Sequence, residues 1–356
     1  MRPPSAVAPG GLCAPSAKLY LDCTGQSNDL SSANPATVAP AFPTVFSAPA
    51  EHRYRMQVEW CAPQTARVPG VAGRGVRNAR RTETGEGEER MAIWITGDIH
   101  GGIDIAKLSY RRWPEGRLLT REDFVIVAGD FGMPWSGSND ELYWLDWLNN
   151  RPWTTLYVDG NHECYPYLED LPVTERWGGK VQVYPEYPNI IRLMRGQVFD
   201  LPNVSRGAVN EGDEPPASPA NPAPSTRRIF TMGGADSHDK EWRTPGLSWF
   251  PEELPSWDEY AEAERNLAAA DWQVDLAISH CCATRWLPAV LPADSLAEGI
   301  TTDALTTWFD DIEDRLSFRM WLFGHYHTDV MPDTRHRALY RDIVSVNELL
   351  AESGRA

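Results

Sequence analysis

The chain has 356 residues, a net charge of −17 and an apolar fraction of 42%, so it can bury a sizeable core in one or two domains. The negative charge argues against nucleic acid bound through a basic surface, and no apolar stretch has the length of a membrane-spanning helix. The chain start lacks a charged-then-apolar signal pattern, so we expect a cytoplasmic protein whose six cysteines stay reduced.

Residues 1–90 are rich in proline, alanine, glycine and serine and show no sustained helical or strand period. Such a composition buries too little apolar area to offset the entropy of ordering the chain. We therefore predict a disordered N-terminal extension over residues 1–90. Met91 stands directly before the first apolar run, and we expect it to be the natural start of the protein.

From residue 91 onward, apolar runs alternate with segments whose apolar residues recur at helical spacing. The first predicted strands cover residues 92–96, 123–128 and 154–158, and helices are predicted near residues 103–110 and at residues 141–150. Strands that alternate with helices in this way are typical of βαβ units and a mainly parallel sheet. We therefore predict an α/β fold.

The middle of the chain changes character. Shorter strands, expected to form a second, antiparallel sheet, are predicted at residues 181–184, 190–194, 197–201 and 228–232. The proline-rich segment 205–226 is predicted to be a disordered insertion at a hairpin tip. Helices are then predicted at residues 256–269 and 303–315, and strands at residues 274–279, 318–323 and 338–343. We place the catalytic domain at residues 91–345 and a C-terminal tail at residues 346–356.

Metal-capable side chains follow five of these predicted strands, each just past the apolar run. They are Asp98, His100, Asp130, Asn161, His280, His325 and His327. Because the carboxyl ends of parallel strands gather at one rim of a sheet, we expect these side chains to converge. Mixed carboxylate, amide and imidazole ligands suit Mn²⁺, iron as Fe²⁺ or Fe³⁺, and Zn²⁺, and do not rank them.

The motifs that carry these residues are, in order, Asp-x-His, Gly-Asp, Gly-Asn-His-Glu, a lone His and Gly-His-x-His. Between residues 91 and 341, this ordered set resembles the calcineurin-like metallophosphoesterase superfamily. The resemblance implies a four-layer α/β/β/α sandwich with two divalent metal ions as cofactors.

The resemblance also implies a role for each site residue. It implies one metal held by Asp98, His100 and His327, a second held by Asn161, His280 and His325, and a bridge between them at Asp130. It further implies that His162 is not a ligand but stabilises a phosphoryl oxygen or protonates the leaving group, with Asp98 orienting its ring.

Two further residues, Arg195 and His238, are candidates to contact the substrate phosphate. They lie in segments 194–196 and 233–239, which are similar to segments of uncharacterised bacterial metallophosphoesterases. A surface arginine and a turn histidine are interpretations of equal weight for these two residues.

The expected function is metal-dependent hydrolysis of a phosphodiester or small nucleotide, through attack by a hydroxide that bridges the two metals. Protein phosphatases of the superfamily carry an arginine in the second motif, where this chain has Phe131, which argues against a Ser/Thr phosphatase. The alternative enzyme is a phosphomonoesterase or protein phosphatase, and the alternative of another class is a metal-stabilised binding scaffold. The sequence leaves the substrate, the metal and the oligomeric state open.

Overall fold

The structure, a computed structural model, describes residues 89–90, 92–203, 205–206, 225–292 and 302–353. The predicted disordered extension therefore lies outside the described residues, except for its last two. These two form strand β1 (Glu89–Arg90), which pairs antiparallel with β9 (Ser205–Arg206). The predicted insertion over residues 205–226 is wrong at its ends, because residues 205–206 and 225–226 belong to strands; residues 207–224 lie outside the described residues.

The first sheet has seven strands. They are β2 (Ile93–Thr96), β3 (Phe124–Ala128), β4 (Thr154–Val158), β5 (Val173–Arg176), β6 (Gly179–Val183), β7 (Ile190–Leu193) and β14 (Ile343–Ser345). Their order across the sheet is β14-β2-β3-β4-β7-β6-β5. Strands β2, β3, β4 and β7 run parallel, while β14, β6 and β5 are antiparallel to their neighbours.

The second sheet has five strands. They are β8 (Gln197–Asn203), β10 (Ser225–Met232), β11 (Leu276–Ser279), β12 (Met320–Phe323) and β13 (His336–Ala338), in the order β13-β12-β11-β10-β8. Only the pair β10 and β8 is antiparallel, so the antiparallel second sheet that we predicted is mostly parallel.

Two predictions about strand partners are wrong. Strands β6 and β7 lie in the first sheet, because β7 pairs in parallel with β4. The single strand predicted at residues 338–343 is two strands, since the chain leaves β13 in the second sheet and enters β14 in the first. Strand partners of this kind depend on contacts between distant segments, which local sequence patterns do not specify.

The described helices are short to medium in length. They are α1 (Asn139–Asn149), α2 (Tyr165–Asp170), α3 (Trp257–Ala269), α4 (Leu287–Val290), α5 (Ala304–Arg315) and α6 (Val346–Ser353). Side-chain caps begin three of them, at Ser138, Ser256 and Asp303, where each cap accepts a backbone N–H of the first turn. The helix predicted near residues 103–110 is a 3₁₀ turn over Ile105–Leu108.

Three apolar clusters define the layers. The cluster between the sheets includes Ile126 of β3 and Ile278 of β11, while Val125 of β3 points the other way, towards Leu145 of α1. A third cluster packs Phe309 of α5 and residues of α3 on the outer face of the second sheet. Helices therefore cover both outer faces, which confirms the predicted α/β/β/α sandwich. It also explains why β3 is apolar at every position, since both of its faces are buried.

The predicted C-terminal tail is in part a helix that packs on the core. Val346, Leu349 and Leu350 of α6 are buried in the cluster between the sheets. Their spacing of three and four residues places them on one face of the helix. Among the described helices, none is both long and apolar enough to cross a membrane.

Candidate metal centre

The seven predicted ligands lie in loops that follow five strands from both sheets. Strands β2, β3 and β4 of the first sheet lead to Asp98, His100, Asp130 and Asn161, whereas β11 and β12 of the second lead to His280, His325 and His327. The expectation that one parallel sheet would gather all of them at a single rim is therefore wrong. The site is built where the strand ends of two sheets meet.

Four of the ligands occupy an unusual backbone conformation. His100, Asp130, His325 and His327 have φ angles of 43°, 46°, 69° and 50°, in the left-handed region. Residues with a Cβ rarely adopt this region, and such strain concentrates at functional sites. Contacts between the loops hold these turns, because His100 N donates to Asp130 O at 2.9 Å and His325 N donates to Asp98 Oδ1 at 3.0 Å.

Glycines in the motifs make room for the ligand side chains. Gly129 has a φ of 94°, and a Cβ there would lie 1.8 Å from Nδ1 of His280. A Cβ on Gly324 would lie 2.2 Å from Oδ1 of Asp98. Each glycine thus lets a loop of one sheet approach a ligand delivered by the other.

The first group of ligands comprises Asp98, His100, Asp130 and His327. Each offers one ligand atom, and these atoms lie within 4.8 Å of one another. Nε2 of His327 is 3.1 Å from Oδ2 of Asp98, and Nε2 of His100 is 3.2 Å from Oδ2 of Asp130. This spacing fits donors that surround one ion.

The second group comprises Asp130, His280 and His325, whose ligand atoms also lie within 4.8 Å of one another. Nε2 of His280 is 3.2 Å from Oδ1 of Asp130 and 3.1 Å from Oδ1 of Asn161, which places Asn161 beside this group. Asp130 therefore turns one carboxylate oxygen towards each group.

Three hydrogen bonds orient candidate ligands through the atoms that face away from the centre. His100 donates through Nδ1 to Asp104 at 2.9 Å, His280 donates through Nδ1 to Ala128 O at 3.0 Å, and Asn161 donates through Nδ2 to Ser237 Oγ at 2.9 Å. With these donors occupied, Nε2 of each histidine and Oδ1 of Asn161 face the centre. The sequence analysis missed Asp104 and Ser237, although Asp104 lies one helical turn after His100 and Ser237 lies in the segment that we had singled out.

The charge at the centre fits a cation. Asp98 is fully buried, and its Oδ2 lies 3.1 Å from Nε2 of His327 but accepts no well-directed hydrogen bond from the described residues. Burial raises the pKa of Asp98, but His327 and His280 hold it below its ordinary value, so the carboxylate stays charged. A buried, charged oxygen without a hydrogen bond is costly unless a cation compensates it. The residues present therefore fit a divalent metal.

Two of the ligand imidazoles take up protons readily. Burial lowers the pKa of His100, but Asp104 and Asp130 raise it to about 10. Burial likewise opposes protonation of His280, yet Asp130 and Asp98 raise its pKa to about 9. Metal ions and protons thus compete for the same nitrogens, so the affinity for metal must fall as the pH falls.

His162 borders the first ligand group. Its ring centroid lies 5.5 Å from that of His100, and its backbone N donates to Asp130 Oδ1 at 2.8 Å. Burial, with a contribution from the positive charge of Arg243, lowers the pKa of His162 to about 4, so the imidazole is neutral at pH 7. The oxygens of Asp98 contact His327 and the backbone of His325, and the expected orienting contact of Asp98 with the His162 ring stays a prediction.

Neither of the two predicted substrate contacts belongs to the ligand groups described above. Nε of Arg195 donates to Asp159 at 2.7 Å and Nη2 donates to Tyr165 OH at 2.6 Å, with the side chain 2% exposed. A guanidinium held in this buried network is structural, so the prediction of a substrate contact is wrong for Arg195. His238 is exposed beside Ser237, and its substrate role stays a prediction.

The sequence analysis missed Arg243, which contacts His162. Nη2 of Arg243 is 3.0 Å from Nε2 of His162, and Nε of Arg243 is 2.8 Å from Oδ1 of Asp239. Arg243 belongs to the loop between β10 and α3, where no motif or periodicity marks it.

A comparison with known families decides the identity of this site. The family model described as Calcineurin-like phosphoesterase matches residues 91–329, which include every ligand named above. The chain belongs to the calcineurin-like phosphoesterase family. This phosphoesterase is accordingly a hydrolase of phosphoester bonds, with Asp and His groups that could hold divalent metal. No curated protein matches the chain.

Proposed function

We propose that this phosphoesterase hydrolyses a phosphodiester of a small molecule, such as a nucleotide, with two divalent metal ions as cofactors. The observation that carries the proposal is the pair of ligand groups that share Asp130 and border His162. Two neighbouring cations with a shared carboxylate suit in-line displacement at phosphorus. A metal-stabilised scaffold would have no use for the neighbouring imidazole.

Each residue has one task in the proposed reaction. Asp98, His100 and His327 would hold one ion, Asn161, His280 and His325 would hold the other, and Asp130 would contribute to both. When bound, the ions supply a water of lowered pKa and positive charge for the phosphoryl oxygens. His162, which is neutral at pH 7, would donate a hydrogen bond from its ring N–H to a phosphoryl oxygen, from its place beside the first ligand group. An imidazole with a pKa of about 4 holds no surplus proton at pH 7 for the leaving oxygen.

A cavity of about 640 Å³ beside the first ligand group supports a substrate with an organic group. It is lined by Asp104, Lys107, Arg112, Trp113, Tyr340, Arg341, Asp342 and Ile343. Tyr340 stacks on His327 with ring centroids 4.7 Å apart, so the cavity adjoins the metal centre. The half-buried ring of Tyr340, beside Arg112 and Arg341, suits a nucleotide, which offers a base to stack and negative charge to pair.

A cytoplasmic location also remains part of this proposal. Cys164, Cys281 and Cys282 are free thiols, as expected of a protein in a reducing compartment. Fractionation of the native cells, followed by detection of the chain with an antibody, tests the location. Recovery with secreted proteins would contradict it.

The first experiment compares two chromogenic esters, bis-p-nitrophenyl phosphate and p-nitrophenyl phosphate, as substrates of the full chain in Mn²⁺. We expect faster hydrolysis of the diester, and loss of that activity in Asp130→Ala, which should also lose bound metal. Preference for the monoester would favour a phosphomonoesterase instead. Absence of metal-dependent turnover of both esters, and of a panel of cyclic nucleotides, would favour the binding scaffold.

His162→Ala separates catalysis from metal binding. Because His162 lies beside the ligands without being one, the variant should keep the metal content of the wild type, measured by mass spectrometry of the metals. Loss of the hydrogen-bond donor should lower turnover by about 10²- to 10³-fold. A rate near that of the wild type would refute the catalytic role of His162.

A further inference from the structure

We infer that Arg243 binds the phosphoryl group of the substrate beside His162. The inference rests on the proposed function and adds a phosphate-binding residue to it. The guanidinium lies against the imidazole, with Nη2 at 3.0 Å from Nε2 and 3.4 Å from Nδ1 of His162. A phosphoryl oxygen that reaches His162 therefore also comes within reach of Arg243.

Acidic residues hold the guanidinium in this position. Nε of Arg243 is 2.8 Å from Asp239, four residues earlier, and Nη1 is 3.8 Å from the buried carboxyl group of Glu253. Nη1 also donates to Ser248 O at 3.4 Å, and the side chain is 11% exposed. Two of the three nitrogens are thus engaged away from the centre, which leaves Nη2 for His162 and a ligand.

The positive charge of Arg243 favours the binding of an anion beside His162. A guanidinium stays protonated at every pH that a protein tolerates, and two metal ions would be further positive charges close by. Cations placed side by side repel one another unless negative charge is bound between them. A phosphoryl group supplies that charge, and its oxygens accept the paired N–H donors of a guanidinium.

Two other cations of this region, Lys107 and Arg195, are already engaged. Nζ of Lys107 donates to Gly97 O and Asp98 O at 2.9 Å each, and also to Tyr340 O, which uses all three of its protons. Arg195 is held by Asp159 in the core. The loop after β3, where protein phosphatases of the superfamily carry an arginine, has Phe131 instead and so supplies no positive charge. The ring of Phe131 stacks on Tyr157 with centroids 4.3 Å apart. Arg243 is thus better placed than these residues to supply positive charge to a bound phosphate.

The test uses Arg243→Ala, Arg243→Lys and the control Lys240→Ala in the full, Mn²⁺-loaded chain. Lys240 precedes Arg243 by three residues and forms an exposed ion pair with Asp236 at 2.9 Å. We expect Arg243→Ala to weaken the binding of inorganic phosphate by at least about tenfold, measured by calorimetry, and to lower kcat/KM for the diester by about 10²-fold. Arg243→Lys should restore part of both values, and Lys240→Ala should change neither.

Metal content and the midpoint of thermal unfolding are measured alongside. Phosphate binding of wild-type strength in Arg243→Ala would overturn the inference. So would a loss of binding in step with lost metal or a lowered unfolding midpoint, because that pattern indicates a structural role. If Arg243→Ala does not fold, phosphate binding is compared between Arg243→Lys, which keeps the positive charge, and Arg243→Gln, which loses it. We expect weaker binding in Arg243→Gln, and equal binding in the two would overturn the inference.

The inference and the proposed function can fail separately. Wild-type protein that binds phosphate through Arg243 but hydrolyses no ester would refute the proposed function and keep the phosphate site. If the wild-type protein hydrolyses the diester and Arg243→Ala has the same kcat/KM and phosphate affinity, only the phosphate site would be refuted.

Discussion

At the scale of single residues, a buried carboxyl group near Arg243, that of Glu253, lacks among the described residues a close positive charge to offset the cost of burying it in ionised form. Glu253 is 2% exposed, and its contact with Arg243 is long, at 3.8 Å. Burial raises the pKa of Glu253 from 4.5 to about 7, against the opposing effects of Ser237 and Arg243. By contrast, the buried carboxyl of Asp159 is paired with Arg192 and Arg195, which lower its pKa to about 2. The difference lies in the number and proximity of the guanidinium groups.

The raised pKa of Glu253 predicts that the stability of the fold depends on pH. Between pH 4.5 and about 7, the folded chain holds a proton on Glu253 that the unfolded chain has released. The free energy of unfolding must therefore fall as the pH rises through this window. Glu253→Gln cannot ionise, so it should match the wild type near pH 4.5 and exceed it by about 1 kcal/mol or more above pH 7.

Urea denaturation of metal-loaded wild type and Glu253→Gln at pH 5 and pH 8 measures this difference. Other groups titrate in both proteins and cancel in the comparison. Only the change between pH 5 and pH 8 in the difference between their free energies of unfolding is therefore attributed to Glu253. A difference that is the same at the two pH values would show that Glu253 does not titrate in this window.

At the scale of elements, the junctions between strands and loops carry the chemistry. Each loop turns sharply after its strand, and close approach between loops of the two sheets sets the ligand positions. Gly129 after β3 and Gly137 before α1 both have positive φ, at 94° and 67°. Of the two, Gly129 faces a neighbour, since a Cβ would meet the ring of His280 at 1.8 Å. At Gly137, no atom of the described residues beyond the adjacent ones in the chain lies within 4 Å of such a Cβ.

The two glycines give a matched pair of variants. Gly137→Ala should cost about 1 kcal/mol of stability, from backbone strain alone, and should keep its metal. Gly129→Ala also places a Cβ at a positive φ, and this Cβ must in addition displace His280, so the variant should lose bound metal and turnover. Chemical denaturation and metal analysis of both variants test the distinction. Equal metal content in the two would show that the approach of Gly129 to His280 does not set the site.

At the scale of the whole molecule, the centre joins the two sheets. The loops after β2, β3 and β4 supply ligands from one sheet, and those after β11 and β12 supply ligands from the other. Bound metal would therefore tie together two sheets that are otherwise held by the apolar cluster between them. Since metal binds the folded chain more strongly than the unfolded chain, it must raise the free energy of unfolding.

Removal of metal should lower the thermal stability of the whole domain. A gain of about 3–4 kcal/mol from tightly bound metal corresponds to a fall of about 5–10 °C in the unfolding midpoint on adding a chelator. Calorimetry with and without chelator measures the shift, and Asp130→Ala should show a much smaller one. An unchanged midpoint in the wild type would mean that metal does not link the sheets.

The sequence by itself predicted most strands and the seven candidate metal ligands. Strands β3 and β4 and helices α3 and α5 lie within two residues of their predicted bounds, because apolar periodicity and side-chain caps are local properties. The candidate ligands could be identified because each follows an apolar run within a few residues, and five of the seven stand next to a glycine. These motifs, from Asp98 to His327, also carried the resemblance that the family match confirmed.

Only the tertiary structure decided which segments become neighbours. Strand β7 reads as a strand in the sequence, but its pairing with β4 depends on chain that lies more than thirty residues away. Arg195 and Arg243 look alike in the sequence, yet Asp159 holds the first in the core and Asp239 holds the second beside His162. The role of a side chain depends on the partners that folding brings to it, and those contacts are formed between distant parts of the chain.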